Sequence, residues 1–262
     1  AQYCHIEKEY TEFCYNAIRP ILEKSDVDLI GFHGQTLYHA PSDYITHQMG
    51  NAKYLAKLSG KNVIGDFRTD DIMAGGQGAP LAPIFHKAII KAEAPVAVLN
   101  IGGVSNITYI EGDKVIAFDI APGSAPLNDV MRKHYQLEYD KDGELAAKGE
   151  VNHAALEILL DNDFFAKSYP KSLDRNHFNY KVLQSLEPAD QLETICEFIS
   201  KAFVHALELL PNIPKAVYLC GGGRNNLHLV SKLGGAANIR LIDELGIDGD
   251  MVEAYAFAYL AI

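Results

Sequence analysis

The chain has 262 residues, 48% of them apolar, and a formal net charge of −11, enough for one large domain or two ordinary ones with a packed core. The acidic balance excludes a nucleic-acid backbone as partner, since no basic patch is offered to displace its counterions. No run approaches the roughly eighteen apolar residues of a membrane span, and no charged segment followed by a short apolar stretch reads as a secretory signal.

Four cysteines, at positions 4, 14, 196 and 220, have neither zinc spacing nor the density of a disulfide framework, and imply a reduced, cytoplasmic compartment. The chain opens in a helical pattern and closes inside the apolar run AYAFAYLAI with no cap after it, so both ends are expected to be cuts.

Residues 3 to 24 place Tyr3, Ile6, Tyr10, Phe13, Ala17 and Ile21 at spacings of three and four, an amphipathic helix with a kink or restart at Pro20. Leu29 to Phe32 reads as a short buried strand ending at His33-Gly34-Gln35-Thr36. Polar groups just beyond a strand end are where open α/β sheets put their ligands, although a plain strand-to-helix turn accounts for them equally well. A helix from Met49 to Leu58, with Asn51 able to cap it, closes at Ser59-Gly60. The strand Asn62 to Phe67 runs into Arg68-Thr69-Asp70-Asp71 and the glycine-rich AGGQGAPL, Ala74 to Leu81. Arg68 there suits an anion or a sugar hydroxyl, or is a solvated side chain. Helix resumes at Ile84 to Ile90, and the shift at Ala92-Glu93-Ala94-Pro95 marks a candidate domain boundary.

From Val96 to Asp129 the pattern is strand (Val96 to Asn100), Gly102-Gly103, strand (Ser105 to Ile110), polar turn, strand (Val115 to Phe118), and then Asp119. The paired glycines lack the Lys-Ser/Thr of a P-loop and open no helix. They are either ordinary hairpin turn chemistry or a backbone nest for phosphate. A helix from Pro126 to Tyr135 follows, and Asp140 to Gly143 reads as a solvated turn that lacks the remaining acids of a calcium loop. Val151 to Leu160 is helical, and Phe164-Phe165 is expected in the core. Lys171 and Arg175 sit in the polar loop PKSLDRNHFN, solvated or facing an anionic ligand. Ala189 to Leu210 is the longest helix, on which His205 is packed or on the surface. The strand Ala216 to Cys220 runs into Gly221-Gly222-Gly223-Arg224-Asn225-Asn226 and a helix near Leu227, which sets backbone N–H groups and a helix N-terminus beside the loop. A last strand, Ile239 to Ile242, and a polar loop precede the final helix, Met251 to Ile262, apolar nearly all round except Glu253. Glu253 either faces the helix dipole or faces a ligand, and burial of the surrounding helix favours the ligand.

With HGQT, GDFRTDDIMAGGQGAPL, LNIGGVSNIT, FDIAPG, CGGGRNN and MVEAYAFAYLA in one order, the chain resembles the anhydro-N-acetylmuramic acid kinase family of the sugar kinase, Hsp70 and actin superfamily. The resemblance covers nearly the whole chain. It implies an α/β, two-domain, ribonuclease H-like fold with a central cleft that holds the nucleotide, the first domain incomplete. Domain 1 would be residues 1–94, domain 2, on the ATP side, 95–242, and 243–262 a C-terminal helix at the cleft.

The implied activity is ATP-dependent opening of 1,6-anhydro-N-acetylmuramic acid and phosphorylation of O6, giving N-acetylmuramic acid 6-phosphate in peptidoglycan recycling. ATP and Mg2+ are the implied cofactors, and no residue is implied as a metal ligand. The implied partner is the small amino sugar, with no nucleic acid and no membrane, and a homodimer stays open. Asp119 matches the catalytic carboxylate, the general base on the attacking water. Glu253 matches a sugar-holding glutamate, and Arg68, His33 and Gln77 fall in the motifs lining the sugar side. Gly102, Gly103, Asn106 and Gly123 match the second phosphate loop, and Gly221, Gly222, Gly223 and Asn226 the loop beneath the adenosine. The family's opening strand and Ser-Gly-Thr-Ser loop have no counterpart here. After Asp119 the family reads close to Thr-Gly-Pro-Gly-Asn, whereas this chain has Ile120-Ala121-Pro122-Gly123-Ser124, which restricts φ at Ala121 and adds a Cβ there. The alternative implied by these departures is a catalytically impaired fragment that binds sugar or nucleotide.

Overall fold

The computed structural model describes residues 2–91, 93–174 and 176–262. The chain folds into two compact units, Ala1–Phe85 with Glu253–Ile262, and His86–Val252. It passes from one to the other inside one helix and at the start of another.

The first unit opens with α1 (Gln2–Leu22), which runs on through Pro20. Strands β1 (Leu29–Phe32), β2 (Gln35–Ala40) and β3 (Ile45–Met49) follow, then α2 (Ala52–Ser59), β4 (Asn62–Gly65), α3 (Phe67–Met73) and α4 (Ala82–Ile89). β1 and β4 pair in parallel, and β2 and β3 form an antiparallel hairpin. Asn51 caps α2 by accepting from the Tyr54 N–H at 2.8 Å, and Gly60 closes the helix with φ of 67°, as the residues there implied. The last helix of the chain packs so closely on β1 that a Cβ at Gly31 would overlap the Phe257 carbonyl. The apolar stripe of α1 is not the buried face that periodicity implied, since Phe13 is 70% and Ile21 59% exposed.

The second unit is built on β5 (Val96–Ile101), β6 (Val104–Glu111) and β7 (Lys114–Pro122), followed by α5 (Ala125–Tyr135), α6 (His153–Leu160), α7 (Asp163–Ala166) and α8 (Pro188–Glu208). Strand β8 (Val217–Cys220), α9 (Leu227–Gly234), β9 (Ile239–Leu241) and the start of α10 (Val252–Leu260) complete it. The sheet order is β7-β6-β5-β8-β9. The meander β5-β6-β7 is antiparallel, while β8 and β9 join in parallel. β5 and β8 are buried nearly throughout, which is why VAVLNI and VYLC show continuous rather than alternating apolarity. Helix α8 buries Leu192, Ile195, Phe198, Ile199, Ala202 and Phe203 along one stripe, each large side chain contributing about 1.5–3 kcal/mol by leaving water. This mixed sheet with helices meets the α/β expectation.

One irregularity matters for the site. Asn106 pairs with Asp119 and Ser105 with Ala121, so Ile120 is an extra residue in β7, a bulge of the kind that re-aims side chains at functional positions.

Candidate active site

In the second unit, the carboxylate of Asp119 stands at that bulge, half-buried on the edge strand of the sheet. Its backbone N–H donates to the Lys171 carbonyl at 3.0 Å. Its Oδ2 accepts the Leu173 N–H at 2.7 Å. Oδ1 has no hydrogen-bond partner among the described residues. Burial pushes the carboxyl up to about 6, and the Leu173 N–H works in the other direction. A carboxylate of that basicity is largely ionised at neutral pH yet still takes a proton readily, as general-base chemistry requires.

The glycine segments cluster around it by backbone. Gly123 N–H donates to Gly103 O at 2.9 Å, and Ser124 N–H to Gly102 O at 2.7 Å, tying the β5–β6 turn to the end of β7. A Cβ at Gly123 would overlap the Gly102 carbonyl, so glycine there is required by the fold. Gly102 and Gly103 differ: neither has left-handed φ, and a Cβ would meet nothing closer than 3.4 Å. Among the described residues no atom blocks a side chain at these two positions, so the turn has open space beside its backbone. The same holds for Gly222, whose Cβ would meet no atom within 4 Å, whereas Cβ atoms at Gly221 and Gly223 would overlap Asn100 and Ile101. Ala121 lies in β7 outside the left-handed region and is fully buried, so alanine fits its backbone without strain.

A cavity of about 570 Å³ is lined by Gly222, Gly223, Asn225 and Asn226, by Ser124, Leu127 and Asn128 at the head of α5, and by Tyr139 to Asp142. Its size suits a nucleoside. Asn226 takes part through its amide only in part, because its Oδ1 caps α9 by accepting from Leu229 N–H at 2.9 Å. Asn106 faces Asp119 across the β6–β7 ladder. The 140–143 segment is not the solvated turn that its composition implied. Asp140 is buried and accepts from Leu145 and Ala146 N–H at 3.0 and 2.9 Å, which sets the cavity wall. Beneath the glycine loop, the buried Arg224 holds Asp243 at 3.2 Å, Asp248 at 3.8 Å and Asp250 more closely still. Gly221 N–H donates to Gly249 O at 2.9 Å. No motif announces that clamp, since its acids lie in what reads as a plain polar loop.

In the first unit, the structure brings together His33, Arg68 and Glu253. Arg68 lies on α3, which begins at Phe67, a residue expected in the preceding strand; that strand ends at Gly65. Its Nε donates to His33 Nε2 at 2.9 Å and an Nη to Gly78 O at 2.6 Å. Since His33 Nδ1 lies 2.8 Å from Gly34 O, the proton is assigned to Nδ1, leaving Nε2 to accept. Burial and the Arg68 charge hold His33 down to about 4, so it is neutral at physiological pH. The Phe257 ring of α10 lies 4.3 Å from the His33 ring and 5.9 Å from the Arg68 guanidinium carbon. The Glu253 carboxylate counteracts the effect of burial on Arg68. Glu253 itself is exposed in the first turn of α10, so the burial that favoured a ligand-facing role is absent. Gln77 is exposed beside Gly78, and its side chain makes no hydrogen bond among the described residues. Lys171 is buried rather than solvated; Arg175 and Ala92 lie outside the described residues.

Among the described residues no helix is long and apolar enough to cross a membrane. The family model for anhydro-N-acetylmuramic acid kinase matches residues 3–262. A protein of that name from Rhodopseudomonas palustris is 43% identical over 247 residues, covering 92% of this chain and 67% of its own. Another from Ruegeria sp. strain TM1040 is 41% identical over 260 residues, covering 94% and 69%. A ROK family glucokinase from Streptomyces griseus, solved with glucose and AMPPNP, aligns at 13% identity over 96% of this chain and 86% of its own, with a TM-score of 0.47, too low to bear on the assignment. On its sequence relatives and on a model match running from Tyr3 to Ile262, the chain belongs to the anhydro-N-acetylmuramic acid kinase family and with it to the phosphotransferases.

Proposed function

We propose that the chain, in the cytoplasm, couples hydrolytic opening of 1,6-anhydro-N-acetylmuramic acid to phosphoryl transfer from ATP onto O6, within cell-wall recycling, a finer reading of the kinase its relatives are named as. The observation that carries this reading is Asp119, a carboxylate raised to about 6 with one oxygen held by Leu173 N–H and the other without a partner among the described residues. Asp119 takes a proton from water as that water attacks the anomeric carbon. The C1–O6 bond breaks, and O6 becomes the nucleophile toward the γ-phosphorus, with ADP leaving. His33, neutral and accepting from Arg68 Nε, fixes that cation for sugar hydroxyls and the lactyl carboxylate, and Glu253 and Gln77 complete the sugar contacts.

Backbone N–H groups at Gly102, Gly103 and Gly222, with Asn106 and Gly123 beside them, serve the phosphates, and the cavity by Gly223 and Asn226 takes the nucleoside. Among the described residues no three His, Cys, Asp or Glu side chains gather as a metal cage. No protein ligand is assigned to Mg2+. When bound, Mg2+ neutralises charge developing on the transferred phosphoryl group. The four cysteines are all free.

The test is turnover of 1,6-anhydro-N-acetylmuramic acid with ATP and Mg2+, followed as ADP release and sugar phosphate, alongside calorimetry with each ligand alone. Product formation supports the reading. Binding of the sugar without ATP, and no product, replaces it with a binding-only role.

A further inference from the structure

Lys171 is a buried ammonium to which neither the fold nor the family resemblance assigns a task. It is 9% exposed and has no carboxylate partner among the described residues. Its Nζ sits 4.5 Å from the Phe164 ring centroid and 5.8 Å from that of Phe118, and donates to the Phe164 carbonyl at 3.3 Å. Taking an ammonium out of water without a counter-charge is costly, and the neighbouring Lys167 adds repulsion. A methionine would fill the same space without that cost. The cation is therefore used for its directional hold on the carbonyl and ring of Phe164.

What it holds is the segment Pro170–Leu173, which runs along the open edge of β7. The Lys171 carbonyl accepts the Asp119 N–H, and two residues on, the Leu173 N–H grips Asp119 Oδ2. Tyr169, just upstream, stacks on Phe118 at 5.5 Å. The two bonds fix both the backbone of Asp119 and one of its carboxylate oxygens. We infer that Lys171 is a positioning residue for Asp119: anchored on Phe164, it keeps the 170–173 strap closed on the edge of β7, so that the carboxylate presents its second oxygen in one orientation. The catalytic part of this inference rests on the base role proposed above.

The groups that face Asp119 are Asn106 from β6 and the Leu173 N–H and Lys171 carbonyl from the strap. Among the described residues no charged side chain contributes to its shift; burial raises it and the Leu173 N–H lowers it. Lys171→Met keeps the bulk that covers the carboxylate, so burial, the larger cause, stays, while a loosened Leu173 N–H takes away the lowering influence and moves the carboxyl further up.

The experiment compares Lys171→Met with the parent chain. The kcat should fall between about 10- and 100-fold with both KM values unchanged. The acidic limb of the pH–rate profile should move upward by about one unit. Amide hydrogen exchange at Asp119 and Leu173 should quicken at least about tenfold while the core strands β5 and β8 keep their protection. Phe164→Leu, which removes the ring but keeps the carbonyl, should move the same limb and the same two amides by less, and it decides the matter if Lys171→Met does not fold. Unchanged exchange at both amides overturns the inference, as does an unmoved acidic limb. Exchange is read without turnover, so an inactive parent chain would defeat the proposed reaction while the strap is still judged on its own.

Discussion

Replacing Asp119 by asparagine should make the protein more stable at neutral pH and nearly inactive. The carboxyl is carried from 3.8 to about 6 on folding. The folded chain therefore holds this proton more tightly than the unfolded one. Stability from this group is fully present below the unfolded value, declines as pH rises toward 6, and stays lower beyond it. Moving an acid over that interval corresponds to about 3 kcal/mol. Partial solvent access reduces the realised effect to about 1–3 kcal/mol. Asparagine keeps the shape and, through Oδ1, the bond from Leu173 N–H, but carries no charge to desolvate. The assay is chemical unfolding of parent and variant at pH 3.5 and 7.5. The variant should gain about 1–3 kcal/mol at pH 7.5 and nothing at pH 3.5, while turnover falls by about 10²- to 10⁴-fold. Taking the difference between the two proteins cancels the opposing contribution of His33 and His86, which burial holds down to about 4. A variant less stable than the parent, or a gain equal at both pH values, would refute the electrostatic account of the site.

Gly222→Ala should unfold like the parent, since its Cβ enters open space, yet bind ATP about tenfold more weakly by calorimetry. Gly223→Ala, forced against Ile101, should lose about 1–3 kcal/mol in unfolding experiments. Arg224→Met leaves Asp243, Asp248 and Asp250 without their shared cation and should cost about 1–3 kcal/mol at pH 7, discounted for the exposure of the acids. Against the upward pull of burial, the Gly249 N–H and then the Arg224 guanidinium hold Asp243 below the usual carboxylate range, so that loss should shrink as pH falls through and below it. The His33 ring, observed by NMR, should show no titration between pH 5 and 8 and a proton on Nδ1. A midpoint near the free-imidazole value would remove its role as a neutral acceptor.

The second unit was largely legible in the sequence because its signals are long and redundant. Val96 to Phe118 alternates strands with glycine and acidic turns, and α8 carries its apolar stripe over six turns. The first unit was less so. The β2–β3 hairpin turns through Pro41–Asp43 with Tyr44 in the left-handed region at φ of 57°, and nothing in PSDY carries the Asn-Gly signature of a tight hairpin. α3 is seven residues of mostly polar sequence, launched by Asp66 at φ of 62°, below the length at which periodicity speaks. The stripe of α1 was visible, but periodicity marks a face and not what covers it. Asp119 was legible as an acid at a strand end. The Leu173 N–H that grips it was not, because it comes from a loop 54 residues away in sequence and is a backbone group that any residue supplies.

The extra residue in β7 sets limits on how this protein can vary in length. Side chains on a strand alternate faces, so removing one residue between Phe118 and Pro122 would turn Asp119, or everything after it, to the opposite side. At the other end of the same ladder Gly112, at φ of 55°, has nothing within 4 Å of its Cβ position, and the Glu111–Lys114 turn can lengthen without touching the pairing at Asn106. Insertions and deletions should therefore accumulate at the Gly112 end of the meander and be absent across the stretch from Phe118 to Pro122. A deep mutational scan with single-residue indels would display that asymmetry directly.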